Sequence, residues 1–160
     1  MIQQKVFDEL QSSMDQHGSL DQTKCPYTQA VIEETFRIKP ISESLFHLVE
    51  KDTLFNGVHL PAKTLIQANI TSVHFNPEIF ADPNTFNPSR FISPETGQFQ
   101  RSEHVLPFTT GLRACPGRRI AMMELFNFAS KMIYFFHITD SGATNDGLFP
   151  LEEHFTLLQP

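Results

Sequence analysis

The sequence predicts a mainly α-helical chain with small antiparallel β-sheets. Three helices are expected, over 2–16, 26–39 and 118–136. The first and third have apolar residues at helical spacing, and prolines bound the second. Between the second and third helices, short apolar runs are separated by turn signals, and Asn56-Gly57 is typical of a tight β-hairpin. A chain of 160 residues with 40% apolar side chains can bury one core, so we expect one domain over 1–160.

Local signals bound each predicted element. The first helix has an apolar face formed by Ile2, Val6, Leu10 and Met14. Gly18 is expected to end this helix, Pro26 suits the first turn of the second helix, and Pro40 stops that second helix.

The remaining pattern is more broken. Residues 65–73 predict a strand that turns into a short helix, and the proline-rich stretch 76–99 predicts an ordered, meandering loop. The tail over 148–158 suggests a final hairpin. The apolar face predicted for the third helix consists of Ala121, Leu125, Phe128 and Met132.

Composition narrows the possible functions. A net charge of −6 argues against nucleic-acid binding, although Arg113, Arg118 and Arg119 form a local basic patch. Two cysteines do not make a disulfide framework. No apolar run reaches the length of a membrane span, and residues 1–17 are too polar for a signal peptide.

The most informative motif is Phe108-Thr-Thr-Gly111-Leu-Arg113-Ala-Cys115-Pro-Gly117, which leads directly into the third helix. Gly111 and Gly117 permit backbone angles and close approaches that a side chain would block. Phe108 can shield the sulfur from water, and Arg113 can pair with a carboxylate. Cys115 precedes a helix, whose dipole favours negative charge, so a thiolate ligand for iron is expected. The simpler alternative is a buried free cysteine.

A second, weaker motif lies in the second helix. Glu34 and Arg37 are three residues apart and therefore share a helix face. By itself this pair predicts an exposed helix ion pair worth a few tenths of a kcal/mol.

Together these motifs resemble the haem-thiolate monooxygenases, the cytochrome P-450 superfamily. The cysteine motif resembles that family's haem-binding loop, and the resemblance extends over nearly the whole chain. It implies that the chain has the fold of the family's C-terminal third, similar to the microsomal, animal-type branch. It also implies haem b as the cofactor, with Cys115 as the iron ligand. Phe108, Gly111, Arg113 and Gly117 would complete the cofactor-binding loop.

The resemblance assigns further roles. Glu34 and Arg37, together with Arg90 of the segment Phe86-Asn-Pro-Ser-Arg90-Phe91, resemble the family's structural Glu–Arg–Arg network. His47 is similar to a second partner for a haem propionate, and the alternative is a half-buried strand histidine. The other histidines share no metal-ligand spacing. The family's Pro-x-Gly-Thr turn has become Pro61-Ala-Lys63-Thr64, so we expect a turn form that lysine tolerates.

The resemblance implies a monooxygenase that inserts one oxygen atom from O2 into a small organic substrate such as a lipid, steroid or xenobiotic. NADPH would act indirectly, through a flavoprotein reductase docking near Arg118 and Arg119. The complete protein would lie in the endoplasmic reticulum membrane, held by an N-terminal anchor that this chain lacks. Also absent is the distal helix expected to cover the apolar side of helix 118–136. One alternative is a truncated, non-catalytic product with weak or no haem binding. Another is a haem-thiolate isomerase or dehydratase that needs no reductase.

Overall fold

The computed structural model describes residues 2–138 and 155–157. Its helices are α1 (Ile2–Ser13), α2 (Pro26–Ile38), α3 (Ile70–His74) and α4 (Arg118–Phe135), with short 3₁₀ helices at Gln22–Lys24, Pro88–Phe91 and Gly111–Arg113. Its strands are β1 (Ser44–Leu48), β2 (Thr53–Phe55), β3 (Val58–Leu60), β4 (Leu65–Asn69), β5 (Phe136–Ile138) and β6 (Phe155–Leu157). The predicted class, helices with small antiparallel sheets, is confirmed.

The strands pair in three antiparallel two-stranded sheets within this part of the chain, β1 with β4, β2 with β3 and β5 with β6. The β2–β3 hairpin turns at Asn56-Gly57, where both residues have positive φ, as the sequence predicted. Strand β4 leads directly into α3, because the side chain of Asn69 caps that helix by accepting a hydrogen bond from Ser72 N–H. The tail strand β6 pairs with β5, and the rest of the predicted tail hairpin lies outside the described residues.

The chain divides into two compact units, and α2 passes from one to the other. Unit 1 comprises residues 1–32, 88–100 and 117–160, and within it α1 packs against α4. The ring of Phe7 stacks on Tyr134 at a centroid distance of 5.8 Å. The buried apolar side chains of unit 1 are Val6, Leu10, Cys25, Ala30, Ile32, Phe91 and Phe126.

Unit 2 comprises residues 33–87 and 101–116 and contains the β1–β4 and β2–β3 sheets. Its buried apolar side chains are Phe36, Val49, Ile70, Phe80 and Val105. Unit 2 holds both the E-x-x-R pair and the cysteine loop up to Pro116. Most of the predicted site residues therefore lie in unit 2, whereas Arg90 and Gly117 lie in unit 1.

Two predicted helix details are wrong. Helix α1 ends at Ser13, three residues before the predicted end, because Asp15 Oδ1 accepts hydrogen bonds from the backbone N–H groups of His17 and Ser19. Such side-chain bonds compete with helical ones. On α4 the buried side chains are Phe126 and Ser130, whereas Phe128 of the predicted apolar face is 66% exposed.

The turn between β3 and β4 also differs from expectation. Lys63 has φ +68°, a left-handed conformation that favours glycine. Thr64 N–H donates to Pro61 C=O at 3.2 Å and Lys63 N–H donates to Val49 C=O at 2.6 Å, so the turn keeps its hydrogen bonds. Lysine has not changed the turn into one that it tolerates easily. Instead, Lys63 adopts the strained backbone angle.

Candidate functional site

The E-x-x-R pair of α2 is a buried ion pair. The side chains of Glu34 and Arg37 are both fully buried. Arg37 Nε donates to Glu34 Oε2 at 2.7 Å and Arg37 Nη2 donates to Glu34 Oε1 at 2.9 Å, which is a bidentate arrangement. The exposed-pair alternative is wrong for this structure.

Arg37 has a hydrogen-bond acceptor for every N–H of its guanidinium. Nη1 donates to the carbonyl oxygens of His74 and Pro83, at 2.8 and 2.7 Å, and Nη2 donates also to that of Thr85, at 3.3 Å. The rings of Phe75 and Phe80 lie 5.7 and 5.2 Å from the guanidinium carbon. Full satisfaction of the donors offsets the cost of burying the charge. Arg37 therefore ties the segment 74–85 to α2.

Glu34 extends the same cluster further along the chain. Its Oε1 accepts a hydrogen bond from Asn87 N–H at 2.8 Å, so one carboxylate binds both Arg37 and the loop backbone. Arg90, the third predicted member of the network, is partly exposed on the 3₁₀ helix Pro88–Phe91 in unit 1. Its role in the network stays a prediction.

His74 belongs to the same buried cluster, although its sequence gave no sign of this. It is 0% exposed, and its ring nitrogens lie 3.0 Å from Arg37 C=O and 3.2 Å from Leu106 N–H. Burial lowers the pKa of His74 from 6.5, and the Arg37 charge acts in the same direction, against the hydrogen bond to Arg37 C=O. No metal-ligand spacing marks His74, so only its contacts in the fold reveal it.

A further ion pair that the sequence analysis missed involves Glu33. This side chain is 1% exposed, and Arg101 Nε lies 3.6 Å from its Oε1. Arg101 begins the segment that leads to the cysteine loop. Nearby, Phe108 packs edge-on against Phe36 of α2 at a centroid distance of 5.6 Å. The C-terminal half of α2 thus contacts this segment at both ends.

The cysteine loop is a turn closed by its own backbone. Cys115 N–H donates to Phe108 C=O at 2.9 Å, and Ala114 N–H donates to Gly111 C=O at 3.1 Å. Gly111 has φ +73°, as the motif predicted. Gly117 has φ −82°, an angle that any residue adopts, so the prediction of special backbone angles holds only for Gly111. The turn leaves Cys115 exposed.

Thr109 is strained within this loop. Its φ of +62° is uncommon for a β-branched residue. Its Oγ1 donates to Arg113 C=O at 3.1 Å, and its N–H donates to Leu106 C=O at 3.3 Å. These bonds hold the strained residue in place, and backbone strain of this kind is concentrated at functional sites.

A cleft of about 420 Å³ brings two predicted cofactor-binding residues together. Arg113 lines it from the cysteine loop and His47 lines it from β1, while the acidic Glu50 was not predicted. The full lining is Leu45, Phe46, His47, Leu48, Glu50, Thr109 and Arg113. The cleft therefore combines apolar walls with two groups that can bind a carboxylate.

Two negative findings apply to the described residues. They contain no group of three or more His, Cys, Asp or Glu side chains arranged to hold a metal ion. Within 2–138 and 155–157, no helix has both the length and the apolar character needed to cross a membrane.

Comparison with known proteins agrees with the motifs. The family model described as Cytochrome P450 matches residues 1–158. The chain is 36% identical over 159 residues to cytochrome P450 2B2 of Rattus norvegicus, covering 98% of this chain and 32% of that protein. It is 37% identical over 164 residues to cytochrome P450 2C3 of Oryctolagus cuniculus, covering 99% and 33%. With cytochrome P450 2J5 of Mus musculus the identity is 45% over 116 residues, covering 71% and 22%. The chain thus spans at most about a third of the length of these relatives.

Proposed function

The chain belongs to the cytochrome P450 family, and we propose that it supplies the haem-binding part of a haem-thiolate monooxygenase. The complete protein would insert one oxygen atom from O2 into a small organic substrate, a lipid, steroid or xenobiotic. The observation that carries this proposal is the cleft in which Arg113 of the cysteine loop meets His47 of β1.

The residues present fit haem b. Haem iron can be held by a single protein side chain, and a cysteine thiolate is one of the donors that it accepts. Cys115 is exposed on a closed turn, where its sulfur is accessible to such a group. Its propionates need hydrogen-bond donors, which Arg113 and His47 provide. Its apolar edge suits the walls formed by Leu45 and Leu48. When bound, the iron porphyrin would supply the redox chemistry that activates O2.

Each residue has a role in this proposal. The Cys115 thiolate would be the protein ligand of the iron, and Phe108 would exclude water from the sulfur. Arg113 and His47 bind and orient the propionates. Gly111 shapes the turn, and Gly117 gives the backbone room where α4 begins. Glu34, Arg37 and Arg90 would be structural residues that take no part in the chemistry.

The partners follow from the same proposal. Electrons from NADPH would arrive through a flavoprotein reductase that docks near Arg118 and Arg119, which are exposed at the start of α4. The complete protein would lie in the endoplasmic reticulum membrane, held by a segment outside these residues. The mammalian relatives, all family-2 cytochromes P450, support this proposal.

The test uses the complete protein, reduced and exposed to carbon monoxide. The wild type should show the red-shifted Soret band of thiolate-ligated haem, and Cys115→Ser should abolish this band. Cys25→Ser is the matched control, because Cys25 is buried in unit 1 and should leave the band unchanged. An unchanged spectrum in Cys115→Ser would contradict the proposal.

For residues 1–160 alone we propose weak haem binding and no turnover. Phe128 and Ile120 of α4 are 66% and 65% exposed, and uncovered apolar surface favours aggregation or a loosened core. Expression of residues 1–160 with haem and a reductase tests this directly. Stoichiometric haem with NADPH-dependent oxygenation would show that the chain is sufficient by itself.

A further inference from the structure

His74 links the end of α2 to the segment that precedes the cysteine loop. Its Nδ1 lies 3.0 Å from Arg37 C=O, and its Nε2 lies 3.2 Å from Leu106 N–H. The ring is completely buried, so water cannot replace either partner. All three residues belong to unit 2.

The two partners fix the tautomer of this imidazole. A backbone N–H can only donate, so Nε2 must accept the hydrogen bond from Leu106. A carbonyl oxygen can only accept, so Nδ1 must carry the proton that bonds to Arg37 C=O. His74 is therefore a neutral ring with one donor and one acceptor, each directed at a different segment.

Leu106 is connected to the cysteine loop by backbone hydrogen bonds of its own segment. Leu106 C=O accepts a hydrogen bond from the strained Thr109 at 3.3 Å. Two residues after Leu106, Phe108 C=O accepts the hydrogen bond from Cys115 N–H at 2.9 Å. A shift at Leu106 would therefore pass directly to the turn that presents the sulfur.

The Arg37 side of the link is rigid. Arg37 is fully buried and bonded to Glu34 and to several backbone carbonyls. These contacts restrict the movement of Arg37, including that of its own carbonyl group. His74 also contributes its carbonyl oxygen to Arg37 Nη1 at 2.8 Å, and its backbone is therefore held as firmly as its ring.

We propose that His74 is a positioning residue, whose Nε2 sets the position of the Leu106–Cys115 segment relative to α2 and so keeps the Cys115 sulfur on the haem iron. This inference rests on the proposed function. The proposed role belongs to the acceptor atom Nε2. The network around Arg37 does not use this atom, so it can form when Nε2 is removed.

Two conservative variants separate the two nitrogens. The amide of Gln extends as far as Nε2 and can accept from Leu106 N–H, whereas the shorter amide of Asn reaches only the Nδ1 position and can donate to Arg37 C=O. His74→Gln should therefore restore the link to the loop, and His74→Asn should break it. Both variants remove the imidazole, so any effect common to both is not positional.

The experiment uses the complete, haem-loaded protein with two readouts. One is the share of reduced, carbon monoxide-bound haem that shows the red-shifted thiolate band rather than the band of haem without thiolate. The other is the hydrogen-exchange rate of the Leu106 amide. In His74→Asn we expect this amide to exchange about tenfold faster, as for the loss of one hydrogen bond, and the thiolate share to decline. In His74→Gln both readouts should stay close to wild type.

The outcomes are distinct. Equal thiolate shares in His74→Asn and His74→Gln would overturn the positioning role, whatever the melting temperature of either variant. Faster exchange at Leu106 in His74→Asn without any spectral change would also overturn it. If the wild type itself lacked the thiolate band, the proposed function would fail first, and the exchange data would still show whether His74 holds Leu106.

Discussion

The cluster around Arg37 and the cysteine loop belong to the same unit but are built in opposite ways. Glu34, Arg37 and His74 have side chains that are at most 1% exposed, and each is bonded to backbone or to another member of the cluster. In the loop, Cys115 is exposed and Leu112 is fully exposed. The cluster buries its polar groups completely, whereas the loop leaves its chemical groups open.

Under the proposed function, the cluster around Arg37 supports the fold and the loop presents the iron ligand. A buried charge network must be satisfied by the chain's own atoms, since any unpaired member costs several kcal/mol, on the order of 3–5. A ligand loop must keep its donor atoms available for a group that is not protein. The loop is therefore held by backbone bonds such as Cys115 N–H to Phe108 C=O, which do not involve the sulfur.

The largest predicted effect is a loss of stability when the cluster loses Arg37. Arg37→Ala would leave the Glu34 carboxylate buried without its bidentate partner and would remove the anchors of the segment 74–85. We expect the free energy of unfolding to fall by about 3–5 kcal/mol, with loss of haem and of soluble yield. Chemical denaturation of the complete protein measures this.

The control for that variant is Lys39→Ala. Lys39 is exposed just after the end of α2, so its removal should change stability by less than about 0.5 kcal/mol. If Arg37→Ala kept full haem content and an unchanged melting temperature, the cluster would not be the support described above.

The next largest effect is expected on haem binding by the cysteine loop. Arg113→Ala should weaken haem binding by about 10- to 100-fold, because a hydrogen bond to a charged group is worth about 1.5–3 kcal/mol. Stability of the haem-free protein should stay within about 0.5 kcal/mol, because Arg113 is exposed. Haem titration and melting of the same samples separate the two quantities.

Lys51→Ala is a suitable control for Arg113→Ala, since Lys51 is an exposed cation that does not line the cleft. A double variant of Arg113 and His47 should lose more affinity than either single variant if both bind propionates. A large loss of stability in haem-free Arg113→Ala would place Arg113 with the cluster instead of the loop.

Much of this arrangement could be predicted from the sequence, because it depends on local rules. Pro26 and Pro40 predicted the bounds of α2, and Asn56-Gly57 predicted the β2–β3 hairpin. The cysteine motif specified the turn around Gly111. The proximity of Glu34 and Arg37 follows from their spacing on one helix, but neither their bidentate contact nor their burial does.

What could not be predicted depends on distant contacts. His74 is one of seven histidines, and only the packing of α3 near Arg37 and Leu106 distinguishes it. The pairing of Glu33 with Arg101 joins residues far apart in the chain. On α4, apolar spacing alone could not tell which apolar side chains are buried, so Phe128 was assigned to the wrong environment.

The pH dependence of stability tests whether His74 belongs to the buried cluster around Arg37. Burial lowers the pKa of His74 below 6.5, so the unfolded chain binds this proton more readily than the folded one. Stability should therefore be constant with respect to this group above pH 6.5 and should fall as the pH decreases below it. The slope from one group cannot exceed about 1.4 kcal/mol per pH unit.

Denaturation of wild type and His74→Gln between about pH 5 and 8, the range in which histidines titrate, isolates this contribution because glutamine does not titrate. The difference in stability between the two proteins should shrink toward low pH. If the stability of the two proteins changed in parallel with pH, His74 would titrate alike in the folded and unfolded states. That result would contradict its assignment to the buried cluster.

The smallest expected effect compares two turn residues with strained backbones, one exposed and one half-buried. Lys63 and Thr109 both have positive φ, of +68° and +62°, but only Thr109 lies in the cysteine loop. Lys63→Gly should raise the free energy of unfolding by about 0.5–1 kcal/mol, because relief of the left-handed strain exceeds the added entropy of the unfolded chain. Thr109→Gly should gain less, since it also loses the hydrogen bond from Oγ1 to Arg113 C=O.

Thermal melting gives both stability values. Haem titration should show unchanged affinity in Lys63→Gly and changed affinity in Thr109→Gly. If Thr109→Gly were as stabilising as Lys63→Gly and left haem affinity unchanged, the strain at Thr109 would be incidental, and the loop would owe its shape only to Gly111 and the bond between Cys115 and Phe108.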